Sequence, residues 1–168
     1  MKYNNQTDGK WKDAIMTSSP TWVDYLGQWG CLATCIANII QERNESEFTP
    51  YDLNEYLISH KGYNYLARPN VQEQAASLLE WAVVEKKYKL KHSYADNHVR
   101  VNPHEKKDVY YIIEVPAKMW YRGRLIAITH FMNALDTTDR FVIAYNGYDG
   151  EVVFTPNMQI IRNCRVEF

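Results

Sequence analysis

The chain reads as an α+β fold. Helical patterns fill its first half, strand patterns fill its second, and no regular strand–helix alternation joins them. Three observations carry this reading: the apolar run beginning at Cys31, the Thr49-Pro50 helix start, and the β-branched runs between Val109 and Tyr145. The expected architecture is a set of N-terminal helices packed on a C-terminal antiparallel sheet, in one domain spanning residues 1–168.

Composition sets the frame for these elements. A chain of 168 residues with 46% hydrophobic and 14% aromatic content can bury a sizeable core and does not resemble a disordered segment. The formal net charge of −1 supplies no global field toward nucleic acid or anionic lipid. The first twenty residues are polar, which argues against a signal peptide, and no apolar run is long enough to span a bilayer. Three cysteines are too few, and odd in number, for a disulfide scaffold. The expected setting is therefore a reducing one, such as the cytoplasm.

Residues 1–22 read as an irregular arm, pinned by Trp11, Ile15 and Trp22, with a loop at Pro20. The stretch GQWGCLATCIANII, Gly27 to Ile40, follows. It predicts a helix from Cys31 to about Gln41, with a stripe of Leu32, Ile36, Ile39 and Ile40. Cys31 and Cys35 fall on one face, yet no second Cys or His pair follows at metal-site spacing, so no metal and no cofactor is expected. Thr49 and Pro50 predict a capped second helix over Tyr51–His60, with Leu53, Tyr56 and Leu57 inward and Gly62 as its stop. Asn70 caps a third predicted helix, Val71 to about Ala82, facing inward through Ala75, Leu78, Leu79 and Ala82.

Val83–Leu90 then reads as a short charged strand, with lysines guarding an edge rather than binding nucleic acid. Asp96–Lys107 reads as a loop or a weak extra strand. His92, His98 and His104, spaced by six, read as surface histidines. Three strands follow at Val109–Val115, Ile126–Leu135 and Arg140–Tyr145, with a hairpin connection at Asp136–Asp139. Turns at Asn146-Gly147 and Asp149-Gly150 precede one more strand, Glu151–Phe154.

Chemistry concentrates in three places. At a helix start, the first N–H groups and the helix dipole favour a thiolate at Cys31, and Gly30 leaves the backbone open to a substrate carbonyl. Taken alone, Cys31 reads first as a small apolar packing residue of a buried helix. His130 interrupts the apolar strand IAITHFMNAL and needs a hydrogen-bond partner, either as a satisfied core histidine or as a catalytic base. Asn146 ends the next strand, and a hairpin returns it toward His130, where its oxygen can accept from the imidazole. Cysteine as nucleophile, histidine as proton carrier and an amide to orient the ring form a Cys-His-Asn set.

These residues bring the chain close to a known pattern. Cys31-Leu32-Ala33-Thr34-Cys35-Ile36-Ala37 resembles the Cys-Gly-x-Ala-Cys-Leu-Ala nucleophile helix of papain-like cysteine peptidases that process bacteriocin leaders, and of their stand-alone bacterial and phage relatives. The family's strand His and its Asp-Pro-x-x-Gly about sixteen residues on are similar to His130 and Asn146-Gly147-Tyr148-Asp149-Gly150. TPYDLNEYLISHKGY resembles the second helix of the stand-alone relatives. The resemblance covers most of residues 25–155. It implies a papain-like fold, a packing role for Cys35, and a thiol hydrolase acting through Cys31, His130 and Asn146.

Two positions depart from the pattern. Asn146 stands where the family usually has Asp, although papain itself uses Asn. The family's oxyanion-hole Gln lies six residues before the nucleophile, where this chain has Tyr25; Gln28, three before Cys31, is the candidate replacement. The expected function is a cysteine peptidase or amide hydrolase on a peptide substrate. The alternatives are a peptidoglycan-cleaving or acyl-transferring relative, and an inactive papain-like module with a binding or phage-structural role.

Overall fold

The computed structural model describes residues 3–16, 24–64, 78–96, 101–121 and 123–168. The chain groups into two compact units, Met1–Leu90 with Gly147–Asp149, and Lys91–Asn146 with Gly150–Phe168. The architecture is α+β, with the helices in the N-terminal part of the chain and a six-stranded antiparallel sheet in the C-terminal part. Among the described residues, no helix is long and apolar enough to cross a membrane.

The first unit holds α1 (Leu26–Trp29), α2 (Cys31–Asn44), α3 (Pro50–Ser59), the paired short strands β1 (Tyr63–Asn64) and β2 (Leu78–Leu79), and α4 (Trp81–Tyr88). Helix α2 starts at Cys31 as the apolar spacing predicts and runs a turn further than Gln41. Ile36, Ile39 and Ile40 are fully buried along it, each contributing roughly 2–3 kcal/mol of burial. Helix α1 was not legible, because four residues are too short for a period to show.

Helix α3 begins with a reciprocal capping box. The Thr49 hydroxyl accepts from the Asp52 N–H, and the Asp52 carboxylate accepts from the Thr49 N–H at 2.8 Å. Leu53 and Leu57 are fully buried on its inner face. Its end differs from expectation in one detail. The left-handed residue is Lys61 (φ 55°), not Gly62. Gly62 N–H then reaches Leu57 O at 2.7 Å and Lys61 N–H reaches Ile58 O, which is a Schellman closure. Helices α2 and α4 also end on charged left-handed residues, Glu45 and Lys89.

Two sequence readings are corrected between Val71 and Leu90. The predicted third helix falls partly on residues 71–77, and its cap on Asn70, outside the described residues. Leu78 and Leu79 form β2, and Ala82 belongs to α4. The strand predicted over Val83–Leu90 is the body of α4 and its left-handed end. Val83 and Val84 suggested a strand, but Ala82, Glu85, Lys86 and Lys87 are good helix formers. Burial of Val84 in the core then decides the matter. The Lys87 ammonium lies 5.1 Å over the Tyr56 ring, and Tyr88 meets Phe48 and Tyr56 edge-on.

Over its described residues, 3–16, the N-terminal arm is irregular, as expected, and Trp11 is buried with its indole N–H donating to Asn5 O at 2.9 Å. Ile15 pins the arm through its backbone instead of its side chain, which is 48% exposed. It forms a bridge with Tyr25, and its carbonyl accepts from Asn54 Nδ2. Trp22 and Pro20 lie outside the described residues.

The second unit is the sheet, ordered β3-β8-β4-β5-β6-β7 and antiparallel throughout. Its strands are β3 (Lys91–Asp96), β4 (Val109–Tyr121), β5 (Arg124–Thr137), β6 (Phe141–Asn146), β7 (Glu151–Pro156) and β8 (Arg162–Glu167). Strand β3 precedes the region read as a weak strand, and β8 comes from the tail, which carries too few residues for its period to declare itself. Alternation places Val109, Tyr111, Ile113 and Val115 of β4 with Met132, Val142 and Ala144 in one buried cluster. His104 is exposed as expected and pairs with Asp136 at 3.3 Å, whereas His92 is half-buried against Tyr94; His98 is outside the described residues.

Candidate active site

Cys31 is the first residue of α2 and is half-buried, while Cys35, one turn on, is buried. Cys164 is buried in β8, where desolvation pushes its thiol up to about 12. Among the three cysteines, Cys31 is the least buried. Gly30 breaks α1 from α2. A Cβ there would lie 2.5 Å from Leu26 O and 2.6 Å from Leu26 Cδ1, so packing against the preceding turn alone requires glycine. Gln28 lies on α1 with an exposed side chain, and Tyr25 is the residue preceding that helix.

His130 on β5 and Asn146 at the end of β6 are joined at 2.7 Å through His130 Nε2 and Asn146 Oδ1. The amide oxygen only accepts, so Nε2 carries the hydrogen and donates it. In the neutral ring Nδ1 is then the basic nitrogen. Both side chains are half-buried, where an oriented hydrogen bond is less exposed to competition from water.

Register explains why these two residues meet. At the turn end of the β5–β6 pair, Thr137 faces Val142 and Asp136 faces Ile143. Nearer His130, Ala134 faces Ala144 and Asn133 faces Tyr145. Leu135 is the extra residue of a bulge between the two registers. Continued past Tyr145, the shifted register sets Asn146 across from Met132, on the same face of the sheet as His130. Without the bulge Asn146 would face Asn133 and point away.

The turn after Asn146 groups with the first unit. There the Gln6 N–H donates to Gly147 O, and the Thr7 hydroxyl donates to Tyr148 O at 2.8 Å. A Cβ on Gly147 would come within 3.0 Å of Thr34 Cγ2, so this turn rests on α2 one turn past Cys31. Gln6 is buried and also donates from Nε2 to Gly27 O at 3.1 Å. No local pattern in the sequence singles out Gln6 or Leu135; their parts depend on contacts with residues far along the chain or across a strand pair.

Of the four candidate residues, His130 and Asn146 are bonded within the second unit, and Cys31 and Gln28 lie three residues apart in the first. Among the described residues, no group of three or more His, Cys, Asp or Glu side chains is arranged to hold a metal ion. No protein-family model matches the chain, and comparison with curated proteins finds no match either.

Proposed function

We propose that the chain is a papain-like cysteine peptidase or amide hydrolase, with Cys31 as nucleophile, His130 as proton carrier, Asn146 as its orienting amide and Gln28 as an oxyanion donor. The observation that carries this reading is the His130–Asn146 hydrogen bond. The bond fixes the tautomer that a proton carrier needs, with Nδ1 left as the basic nitrogen. The start of α2 at Cys31, and the seating of the turn after Asn146 on that helix, support it further.

The chemistry follows from the tautomer. His130 Nδ1 accepts the Cys31 proton, and the thiolate adds to a substrate carbonyl carbon. The new oxyanion is held by the Cys31 N–H and the Gln28 amide. As the intermediate collapses, the C–N bond breaks and the imidazolium gives its proton to the departing amine. Water, deprotonated by the same imidazole, then cleaves the thioester and restores the thiol. Asn146 carries no charge; it keeps Nε2 protonated and the ring aimed.

Incubation with a peptide bearing an electrophilic carbonyl trap, followed by mass mapping, tests this reading. Cys31 is expected to be the modified residue, with turnover of peptide or peptidoglycan amides lost about a thousandfold or more in Cys31→Ala and His130→Ala. Labelling of Cys31 that is indifferent to His130→Ala would overturn it and favour the inactive binding module, a reading that the Tyr25 departure supports. Digests of labelled peptidoglycan against unstructured peptide separate the two substrate classes.

A further inference from the structure

The β4–β5 hairpin outgrows its sheet. Among the described residues, β8 pairs with β4 only as far as Glu114, and β6 pairs with β5 only as far as Asn133. Beyond them the hairpin continues as a two-stranded ribbon of seven residue pairs, from Val115–His130 to Tyr121–Arg124. Pro116, which has no N–H to offer a further strand, stands at the start of this extension. At a rise of about 3.4 Å per residue, Trp120 stands about 17 Å beyond Val115.

The end of the ribbon is apolar and basic together. Trp120 and Leu125 are direct cross-strand partners, 73% and 52% exposed. Lys118 and Arg124 are exposed on the same ribbon. No Asp or Glu occurs between Val115 and Leu135. Because the whole chain is −1 and residues 115–135 are net basic, the remainder is net acidic.

We propose that this tip docks on an anionic lipid surface, with Trp120 and Leu125 entering the interface and Lys118 and Arg124 at the headgroups. A peptide added to an edge of the ribbon would be held by main-chain hydrogen bonds and would not call on the exposed Trp120 and Leu125 side chains, whereas a fluid interface takes up an indole and an isobutyl group directly. Charge complementarity selects anionic headgroups, and the acidic remainder of the chain favours contact through the tip alone. The proposal is independent of the thiol chemistry. It concerns peripheral docking by a hairpin, and involves no membrane span.

The test is co-sedimentation of the full chain with vesicles of phosphatidylglycerol mixed into phosphatidylcholine, against phosphatidylcholine alone. Binding is expected only to the mixed vesicles and is expected to fall steeply with salt. Lys118→Gln and Arg124→Gln should each weaken it about five-fold, and Trp120→Ala about ten-fold or more. A blue shift of indole emission on binding should vanish in Trp120→Phe. All these positions are exposed, so thermal melts should match the wild type. A paired control, Val152→Ser with Phe154→Ser, removes the exposed apolar surface of β7 and should leave binding unchanged. Equal binding to neutral vesicles, indifference to the tip variants, or capture of soluble polyglutamate without vesicle binding would each overturn the proposal. So would concentration-dependent self-association abolished by Trp120→Ala.

Discussion

His130 and Asn146 meet at 2.7 Å because one extra residue, Leu135, shifts the register between β5 and β6. Deleting Leu135 closes the bulge and leaves the pairs on either side of it unchanged, so Asn146 stays across from Met132. The hydrogen-bonded imidazole Nε2–H resonance of the wild type should therefore persist in that variant, with the sheet spectrum still dispersed. Asn146→Ala should lose the resonance, show a mixture of ring tautomers, and cost about 1 kcal/mol in urea unfolding. A fixed Nε2–H tautomer in Asn146→Ala would show that the ring is held by something other than this amide.

The thiols should separate by reactivity. In the native protein iodoacetamide should label Cys31 first, because it is half-buried at a helix start. Cys35 and Cys164 should label only as fast as the chain opens. Cys164 is held protonated by burial far above neutral pH, so raising the pH to about 9 should not accelerate it in the folded state. His130→Ala should slow Cys31 most at the acid end of the profile, where an imidazolium partner matters. Mass mapping of labelled peptides against pH measures all three rates in one sample.

The capping box of α3 makes a stability prediction. Thr49→Ala removes the hydroxyl that accepts from the Asp52 N–H and should destabilise the protein by about 1 kcal/mol. Thr49→Ser should retain most of that stability, since the oxygen remains. Equal melting temperatures for Thr49→Ala and wild type would mean that α3 is held by Leu53 and Leu57 alone.

Acid should weaken the protein through the far end of the sheet. Hydrogen bonds from Lys106 and Arg165 pull the Glu167 carboxyl down from 4.5 to about 2. The Tyr111 hydroxyl, followed by Arg165, lowers Glu105. Carboxylates with depressed values stabilise the fold fully above their ordinary value and lose that contribution as the pH falls through the folded one. Urea midpoints should therefore decline between about pH 4.5 and pH 2, and Arg165→Met should flatten that limb. The surface position of these pairs means that high salt should flatten it as well.

Local chemistry and period alone determined a good part of this protein. The helix start at Cys31, the Thr49-Pro50 cap, the strand cores of β4, β5 and β6, and the turn after Asn146 could be read because each depends on neighbours within a few residues. The spacing of His130 and Asn146 could also be read as a hairpin return. Tertiary structure decided the rest. Val83 and Val84 have strand propensity, yet burying Val84 in a helical core outweighs a preference of a few tenths of a kcal/mol. Strand β8 finds its place between β3 and β4 only through pairing with residues about fifty to seventy-five positions away. The Leu135 bulge is likewise a property of two strands together. A register is a relation between them, and neither strand's residues carry it until both are paired.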